Sequence, residues 1–229
     1  MSKEYRQRMG FSNKAEFISY LRAKDIKSPN WEIIEQRNNR IVEIFDAVID
    51  SMPILFHKMH TVQDIVQNTT QIIRDNNILP QLNNHGRAME DVYYTWLQGY
   101  LAELVFTPLI EKELGVSDIR RNGGDDLTDP SNFKRTAAAD LISDSGKYLI
   151  DVQAGFSGGN GFDIKWHKVN EACKQSDYTS LVFYVDLVNG TYHLQNLNSL
   201  KEAEFLPNDR WEGQLCHFVS GDNFKKLLG

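Results

Sequence analysis

The segment AAADLISDSGKYLIDVQAG is the feature that most constrains how this chain can fold. Two apolar runs flank Ser145-Gly146, a dipeptide that is compatible with a two-residue hairpin turn. A turn of that length pairs Ile142 with Leu149 and places Asp140 opposite Asp151. The segment therefore predicts a β-hairpin that carries one aspartate in each strand.

The two aspartates are expected to share one face of the hairpin. Directly opposed residues of an antiparallel pair point to the same side, with Cβ atoms about 4.5–5.5 Å apart. Because side chains alternate along a strand, Gln153 joins this polar face, while Ile150 and Val152 point to the core. A carboxylate on an apolar strand costs free energy unless it is paired, protonated or bound to a cation. The two facing aspartates therefore indicate a metal site.

Helical periodicity dominates the first hundred residues. In WEIIEQRNNRIVEIFDAVIDSM an apolar residue recurs every three or four positions, which predicts a helix. A shorter helix is expected before it, with Ser12 or Asn13 as N-cap, and another is expected after Thr61. A longer helix is predicted over about Arg87–Leu114, ended by Gly115. This part of the chain is expected to form a helical subdomain.

The second half of the chain has an α/β pattern. After the acidic hairpin, DIKWHKVNEACKQ predicts a helix, and YTSLVFYVDL and TYHLQNL predict strands. The last two are separated by Asn189-Gly190, a strong hairpin signal. We therefore expect an α/β fold with an N-terminal helical subdomain over residues 1–85 and an α/β core over residues 86–229.

Composition and charge restrict the class of protein. The 229 residues are 41% hydrophobic, which is enough for one sizeable core. No apolar run approaches the roughly 20 residues that span a bilayer, and the polar start has no signal-peptide pattern. We expect a soluble cytoplasmic protein without a membrane partner. The net charge of −6 argues against general nucleic-acid affinity, yet residues 1–27 contain seven Lys and Arg residues against three acidic ones.

The acidic hairpin and its flanking elements resemble the PD-(D/E)xK nuclease superfamily, and among its members a type II restriction endonuclease. The resemblance covers Gly86–Leu197, about half of the chain. The first aspartate of the family motif corresponds to Asp140, and the (D/E)xK strand corresponds to Asp151-Val152-Gln153. Glu103 corresponds to an acidic residue that family members carry on the preceding helix. Two positions depart from the motif, since Ala139 replaces its proline and Gln153 replaces its lysine.

The resemblance implies a restriction-endonuclease-like core, in which helices flank a central mixed β-sheet. It also implies Mg²⁺-dependent hydrolysis of phosphodiester bonds in double-stranded DNA at a short, palindromic site, and hence a homodimer. Asp140, Asp151 and the backbone carbonyl of Val152 would bind the Mg²⁺, which prefers hard oxygen ligands. Gln153 would orient the attacking water, and Glu103 would assist.

Four basic residues near the hairpin are candidate contacts to DNA phosphates: Lys134, Arg135, Lys165 and Lys168. Lys165 and Lys168, expected on the helix after the catalytic strand, are also candidates for the positive charge that Gln153 lacks. Two alternatives stay open. One is a repair or phage nuclease of the same superfamily. The other is a DNA-binding protein on a decayed nuclease fold, suggested by Gln153 and by the acidic net charge.

Overall fold

The computed structural model describes residues 3–11, 13–22, 28–52, 61–82, 87–122, 127, 129–133, 138–156, 158–175, 177–211 and 213–227. The chain divides into two compact units. The first comprises residues 1–46, 60–98 and 124–136, and the second comprises residues 47–59, 99–123 and 137–229. The expected division into a helical subdomain over residues 1–85 and a core over residues 86–229 stays a prediction.

The four predicted N-terminal helices are confirmed, as α2 (Lys14–Leu21), α3 (Trp31–Ser51), α4 (Val62–Asp75) and α5 (Met89–Leu114). A further short helix, α1 (Lys3–Arg8), precedes them and was not predicted. Asn13 caps α2 by accepting a hydrogen bond from the Glu16 amide at 2.8 Å, and the side chain of Thr61 caps α4. Gly115, with a φ of 68°, ends α5.

A buried polar network joins α3, α4 and α5 within the first unit. Asn38 Nδ2 donates to Thr70 Oγ1 at 2.9 Å, and the hydroxyl of Tyr93 donates to Asn38 Oδ1 at 3.0 Å. Burial raises the pKa of Tyr93 to about 12, so the phenol keeps its proton and its role as a donor. Ile34 and Phe45, on the same helix as Asn38, are fully buried core residues.

The second unit contains two β-sheets. Its elements are β1 (Arg120–Arg121), β2 (Leu141–Ser143), β3 (Tyr148–Gly155), β4 (Gly161–Lys165), α6 (Trp166–Ala172), β5 (Thr179–Asp186), β6 (Thr191–Asn196), β7 (Leu206–Asn208), β8 (Gln214–Ser220) and β9 (Lys225–Lys226). One sheet has the order β1-β2-β3-β5-β6-β9, and the other has the order β4-β8-β7. In the larger sheet β3 and β5 are parallel and the other neighbours are antiparallel, so the sheet is mixed. The expected α/β class is therefore confirmed.

The register of the acidic hairpin is also as predicted. Ile142 pairs with Leu149, and the turn spans Asp144–Lys147 without shifting the register. The carboxylate of Asp118 holds the turn by accepting hydrogen bonds from the Ser145 amide at 2.8 Å and from the hydroxyls of Ser143 and Ser145. The second predicted hairpin, at Asn189-Gly190, joins β5 to β6.

Two expectations about the region after the hairpin were wrong. The segment predicted as one helix begins as strand β4, whose alternate residues Phe162 and Ile164 are buried, and the helix starts only at Trp166. The face of β3 expected to be polar is also covered. Val182 and Tyr184, the neighbours of Asp151 and Gln153 on β5, belong to a second core cluster with residues of β4 and α6.

The other face of the sheet packs against α5, where the rings of Phe106 and Phe183 lie 5.8 Å apart between centroids. Among the described residues, no helix has both the length and the apolar character needed to cross a membrane.

Candidate active site

Asp140 lies where β2 separates from β3. The β2 strand begins at Leu141, and the Val152 amide donates to Asp140 Oδ2 at 2.7 Å. This bond connects the carboxylate to the middle of the neighbouring strand. The observed ladder ends at the pair of Leu141 and Ile150, and the predicted pair of Asp140 and Asp151 would be the next one along it.

Backbone direction explains why Val152 reaches Asp140. Thr179 N donates to Lys147 O, and Leu187 N donates to Gly155 O, so the odd-numbered residues of β3 direct their backbone groups toward β5. The even-numbered residues, including Val152, therefore direct theirs toward β2. The Val152 carbonyl consequently points to the same side of the strand as Asp140.

Asp151 is nearly buried and forms an ion pair with α6. Lys168 Nζ donates to Asp151 Oδ2 at 2.8 Å, and the two side chains are 37% and 12% exposed, respectively. Gln153 is half-buried and shares the face of Asp151, two residues along β3. Asp140, Asp151, Gln153 and Lys168 are thus brought to one region of the sheet.

A cleft of about 240 Å³ opens beside this group. Its polar lining consists of Asn122, Asp151, Lys168, Glu171, Gln175 and Ser180. Sequence reasoning missed Asn122, Glu171, Gln175 and Ser180. Asn122 follows the two-residue strand β1, which is too short to produce a periodic pattern. The others carry no motif, and only the parallel pairing of β3 with β5 brings Ser180 here.

Glu103 lies on the other side of the sheet from Asp151. Arg121 Nε and Nη2 each lie 3.0 Å from Glu103 Oε2, and both side chains are largely buried. The guanidinium also covers the ring of Tyr100 at 4.3 Å from its centroid. Arg121 pairs with Leu141, which pairs with Ile150, so this ion pair shares the face of Ile150.

Of the remaining candidate DNA contacts, the structure describes only Lys165. Lys165 ends β4 and does not lie on the helix as expected, because the chain there pairs with β8. Its ammonium lies 3.9 Å from the ring centroid of Trp211. Lys134 and Arg135 fall outside the described residues.

The electrostatic environment of α6 is locally positive. Partial burial lowers the pKa of His167, and the ammonium groups of Lys168 and Lys165 lower it further. The imidazole is therefore neutral near pH 7 and leaves the two lysines as the cationic groups at this end of α6.

The donor chemistry near Asp140 suits a hard cation. No three His, Cys, Asp or Glu side chains in the described part of the chain converge on a common point. Around the Asp140 carboxylate, which accepts from the Val152 amide, the further oxygen groups are the Val152 carbonyl and the carboxylate of the preceding residue, Asp151. Carboxylate and carbonyl oxygens are the ligands that Mg²⁺ takes in proteins, usually with water completing the shell.

Comparisons with protein-family models, with curated proteins and with solved structures found no match to this chain. The functional interpretation therefore depends on the residues of the site.

Proposed function

We propose that this chain is a Mg²⁺-dependent endonuclease that resembles the PD-(D/E)xK type II restriction enzymes and cuts double-stranded DNA at a short, palindromic site. The observation that carries the proposal is the hydrogen bond from the Val152 amide to the Asp140 carboxylate, next to Asp151, which holds the Lys168 ammonium. The mixed sheet with α5 on one face and α6 on the other is compatible with the core that the resemblance implies.

In this proposal Asp140, Asp151 and the Val152 carbonyl hold the Mg²⁺. Carboxylate and carbonyl oxygens are the hard ligands that Mg²⁺ takes in proteins, and water usually completes its shell. When bound, Mg²⁺ would neutralise charge on the phosphate and make a bound water more acidic. These three residues would fix the position of the Mg²⁺, because the ladder that pairs Leu141 with Ile150 sets the register of β2 and β3.

Lys168 supplies the positive charge that Gln153 cannot. Its ammonium is held by Asp151 and remains partly exposed at the cleft, where it can donate to an oxygen of the scissile phosphate. Gln153, on the same face of β3, contributes a neutral amide that can orient a water by hydrogen bonding. The ammonium and the amide thus divide the tasks that a lysine at the Gln153 position would combine.

Contacts to the DNA backbone are assigned to the basic groups around the cleft. Lys168 and Lys165 flank the start of α6, and Lys134 and Arg135 precede the hairpin in the sequence. Such contacts position the duplex and carry no base information. A palindromic target implies two copies of the site related by a two-fold axis, and hence a homodimer.

Digestion of plasmid and genomic DNA, with Mg²⁺ or with EDTA, tests this function. We expect discrete fragments in Mg²⁺ and intact DNA in EDTA, with sequenced fragment ends sharing one short site. Mg²⁺-dependent degradation without a common end sequence would favour a repair or phage nuclease. Retention of DNA without cleavage under any divalent metal would favour the DNA-binding protein on a decayed nuclease fold.

A further inference from the structure

Asn122 makes two hydrogen bonds to the backbone at the entry to β2. Its amide N donates to the Asp140 carbonyl at 2.8 Å, and its Nδ2 donates to the Ala139 carbonyl at 3.0 Å. We propose that Asn122 is a positioning residue that directs the Asp140 carboxylate onto the Val152 amide. The catalytic meaning of this role rests on the proposed function, whereas the positioning itself can be tested without it.

The argument begins with the register of the hairpin. Leu141 pairs with Ile150, and the even-numbered residues of β3 direct their backbone groups toward β2. If the ladder continued by two residues, the Val152 amide would donate to the Ala139 carbonyl. The two strands would then close together at this point, and the Asp140 side chain would have no reason to enter between them.

In the structure the Ala139 carbonyl instead accepts from Asn122 Nδ2, and in this proposal that bond turns the carbonyl away from the Val152 amide. The Val152 amide then needs another acceptor, since a buried backbone donor without a partner is costly. Asp140 Oδ2 fills that place at 2.7 Å. The side chain of Asn122 thus exchanges a backbone ladder bond for a bond to the carboxylate, which orients the carboxylate beside Asp151.

The preceding residue anchors Asn122 to helix α5. Arg121 is held by Glu103 through two contacts of 3.0 Å and by the ring of Tyr100. Glu103, which the sequence suggested as an assisting catalytic group, therefore acts in this proposal through Arg121 and not on the substrate. The connection runs from Glu103 through Arg121 and Asn122 to Asp140.

Amide hydrogen exchange in the full-length chain tests the positioning. In Asn122→Ala we expect the Val152 amide to exchange about tenfold faster than in the wild type, because its bond to Asp140 is weakened. The Ile150 amide in the adjoining ladder serves as the internal reference and should change little. Asp140→Ala should have the same selective effect on Val152. Asn76→Ala removes an equivalent bond, from Asn76 Nδ2 to the Ile72 carbonyl at 2.9 Å, and should leave Val152 unchanged.

The inference is overturned if Asp140→Ala accelerates exchange at Val152 while Asn122→Ala leaves it within twofold of the wild type. If the alanine variant unfolds, Asn122→Asp keeps the side-chain shape without the donor and gives the same comparison.

Titration of the same proteins with Mn²⁺ alone then separates positioning from function. Asn122→Ala should bind Mn²⁺ at least about tenfold more weakly than the wild type, as expected when a group that orients a metal ligand is lost. Faster exchange at Val152 with no Mn²⁺ binding by the wild type would keep the positioning role and contradict the proposed metal site. If Asn122→Ala speeds up exchange of the Val152 amide but binds Mn²⁺ as tightly as the wild type, a role of Asn122 in metal binding would be contradicted.

Discussion

Lys168 is the residue whose location changes the interpretation of the motif most. Glutamine at position 153 leaves the β3 strand without a cation, yet an ammonium from α6 reaches Asp151 at 2.8 Å. The pair is partly exposed, so its Coulomb energy is screened and its contribution to stability is modest. In the proposed function this ammonium acts toward the scissile phosphate at the cleft.

Replacing Lys168 by Gln is expected to lower the cleavage rate at least about 100-fold while the protein stays folded, because the charge at the scissile phosphate is lost. Single-turnover cleavage under saturating Mg²⁺ measures this rate. Lys174→Gln is the matched control, since Lys174 forms an exposed ion pair with Glu171 just beyond the same helix. Equal rates in the two variants would remove Lys168 from the chemistry.

A second residue-level prediction concerns the turn of the acidic hairpin. Hydrogen bonds from the Ser143 hydroxyl and from the amide and hydroxyl of Ser145 lower the pKa of Asp118 from 3.8 to about 2. As the pH falls, the Asp118 carboxylate of the unfolded chain is therefore protonated before that of the folded protein. The stability contributed by Asp118 is complete above about pH 4 and is lost between there and pH 2.

Urea unfolding at a series of pH values between 2 and 6 measures this loss. The wild type should lose more stability over the window from pH 4 to 2 than Asp118→Asn, whose side chain has no proton to take up. Parallel pH profiles for the two proteins would show that the carboxylate does not hold the turn.

At the scale of elements, the helices and the hairpin register could be predicted because their signals are local. Caps such as Thr61 and the apolar spacing of α3 lie within one segment, and a short turn fixes the register around Ile142. Strand β4 was assigned to a helix because only its distant partner β8 makes it a strand. Strands β7 and β9 are three and two residues long and leave no periodic pattern.

In the candidate site, too, the features that depend on one local segment could be predicted, and those that depend on distant partners could not. The register that brings Asp140 to Val152 could be predicted by counting along one hairpin. The partner of Glu103 could not, because Arg121 lies on a two-residue strand that joins the sheet only through β2. Asn122 was missed for the same reason.

The link between α5 and β1 gives a prediction at this scale. Glu103→Gln leaves the largely buried Arg121 guanidinium without its anion, and we expect the free energy of unfolding to fall by about 3–5 kcal/mol. Replacing both residues by Met should recover much of this loss, because no unpaired charge remains. Glu43→Gln removes the exposed pair with Arg40 and should cost about 1 kcal/mol or less. Chemical denaturation of the wild type and of these three variants measures the free energies of unfolding.

If Glu103→Gln instead abolished cleavage with unchanged stability, Glu103 would belong to the reacting groups. That result would contradict its assignment as an anchor of β1.

At the scale of the whole molecule, the proposed function raises the question of how one chain would cut both strands of a duplex. The helices of the first unit present a groove lined by Ile33, Arg37, Arg40 and Tyr94, and Ile33 is 38% exposed. Cutting a palindrome would need two copies of the proposed site, so we expect the surface of α3 to form a dimer contact. Clamping of the duplex by the N-terminal helices is the alternative expectation.

Sedimentation velocity should therefore find a species of twice the chain mass, and Ile33→Glu should shift it to the monomer by placing a charge in the contact. Val188→Glu is the control, because Val188 is equally apolar and 60% exposed in the turn between β5 and β6. A wild type that sediments as a monomer, both free and bound to its DNA target, would contradict the dimer.

The most direct measurement of the central claim is DNA cleavage by the two aspartate variants. Asp140→Asn and Asp151→Asn each remove a negative ligand while keeping the side-chain shape, so both should abolish Mg²⁺-dependent cleavage and retain or strengthen DNA binding at low salt. Asp144→Asn, at the turn of the same hairpin, should cut at the wild-type rate. Near wild-type cleavage by either of the first two variants would show that the facing aspartates are not the metal site.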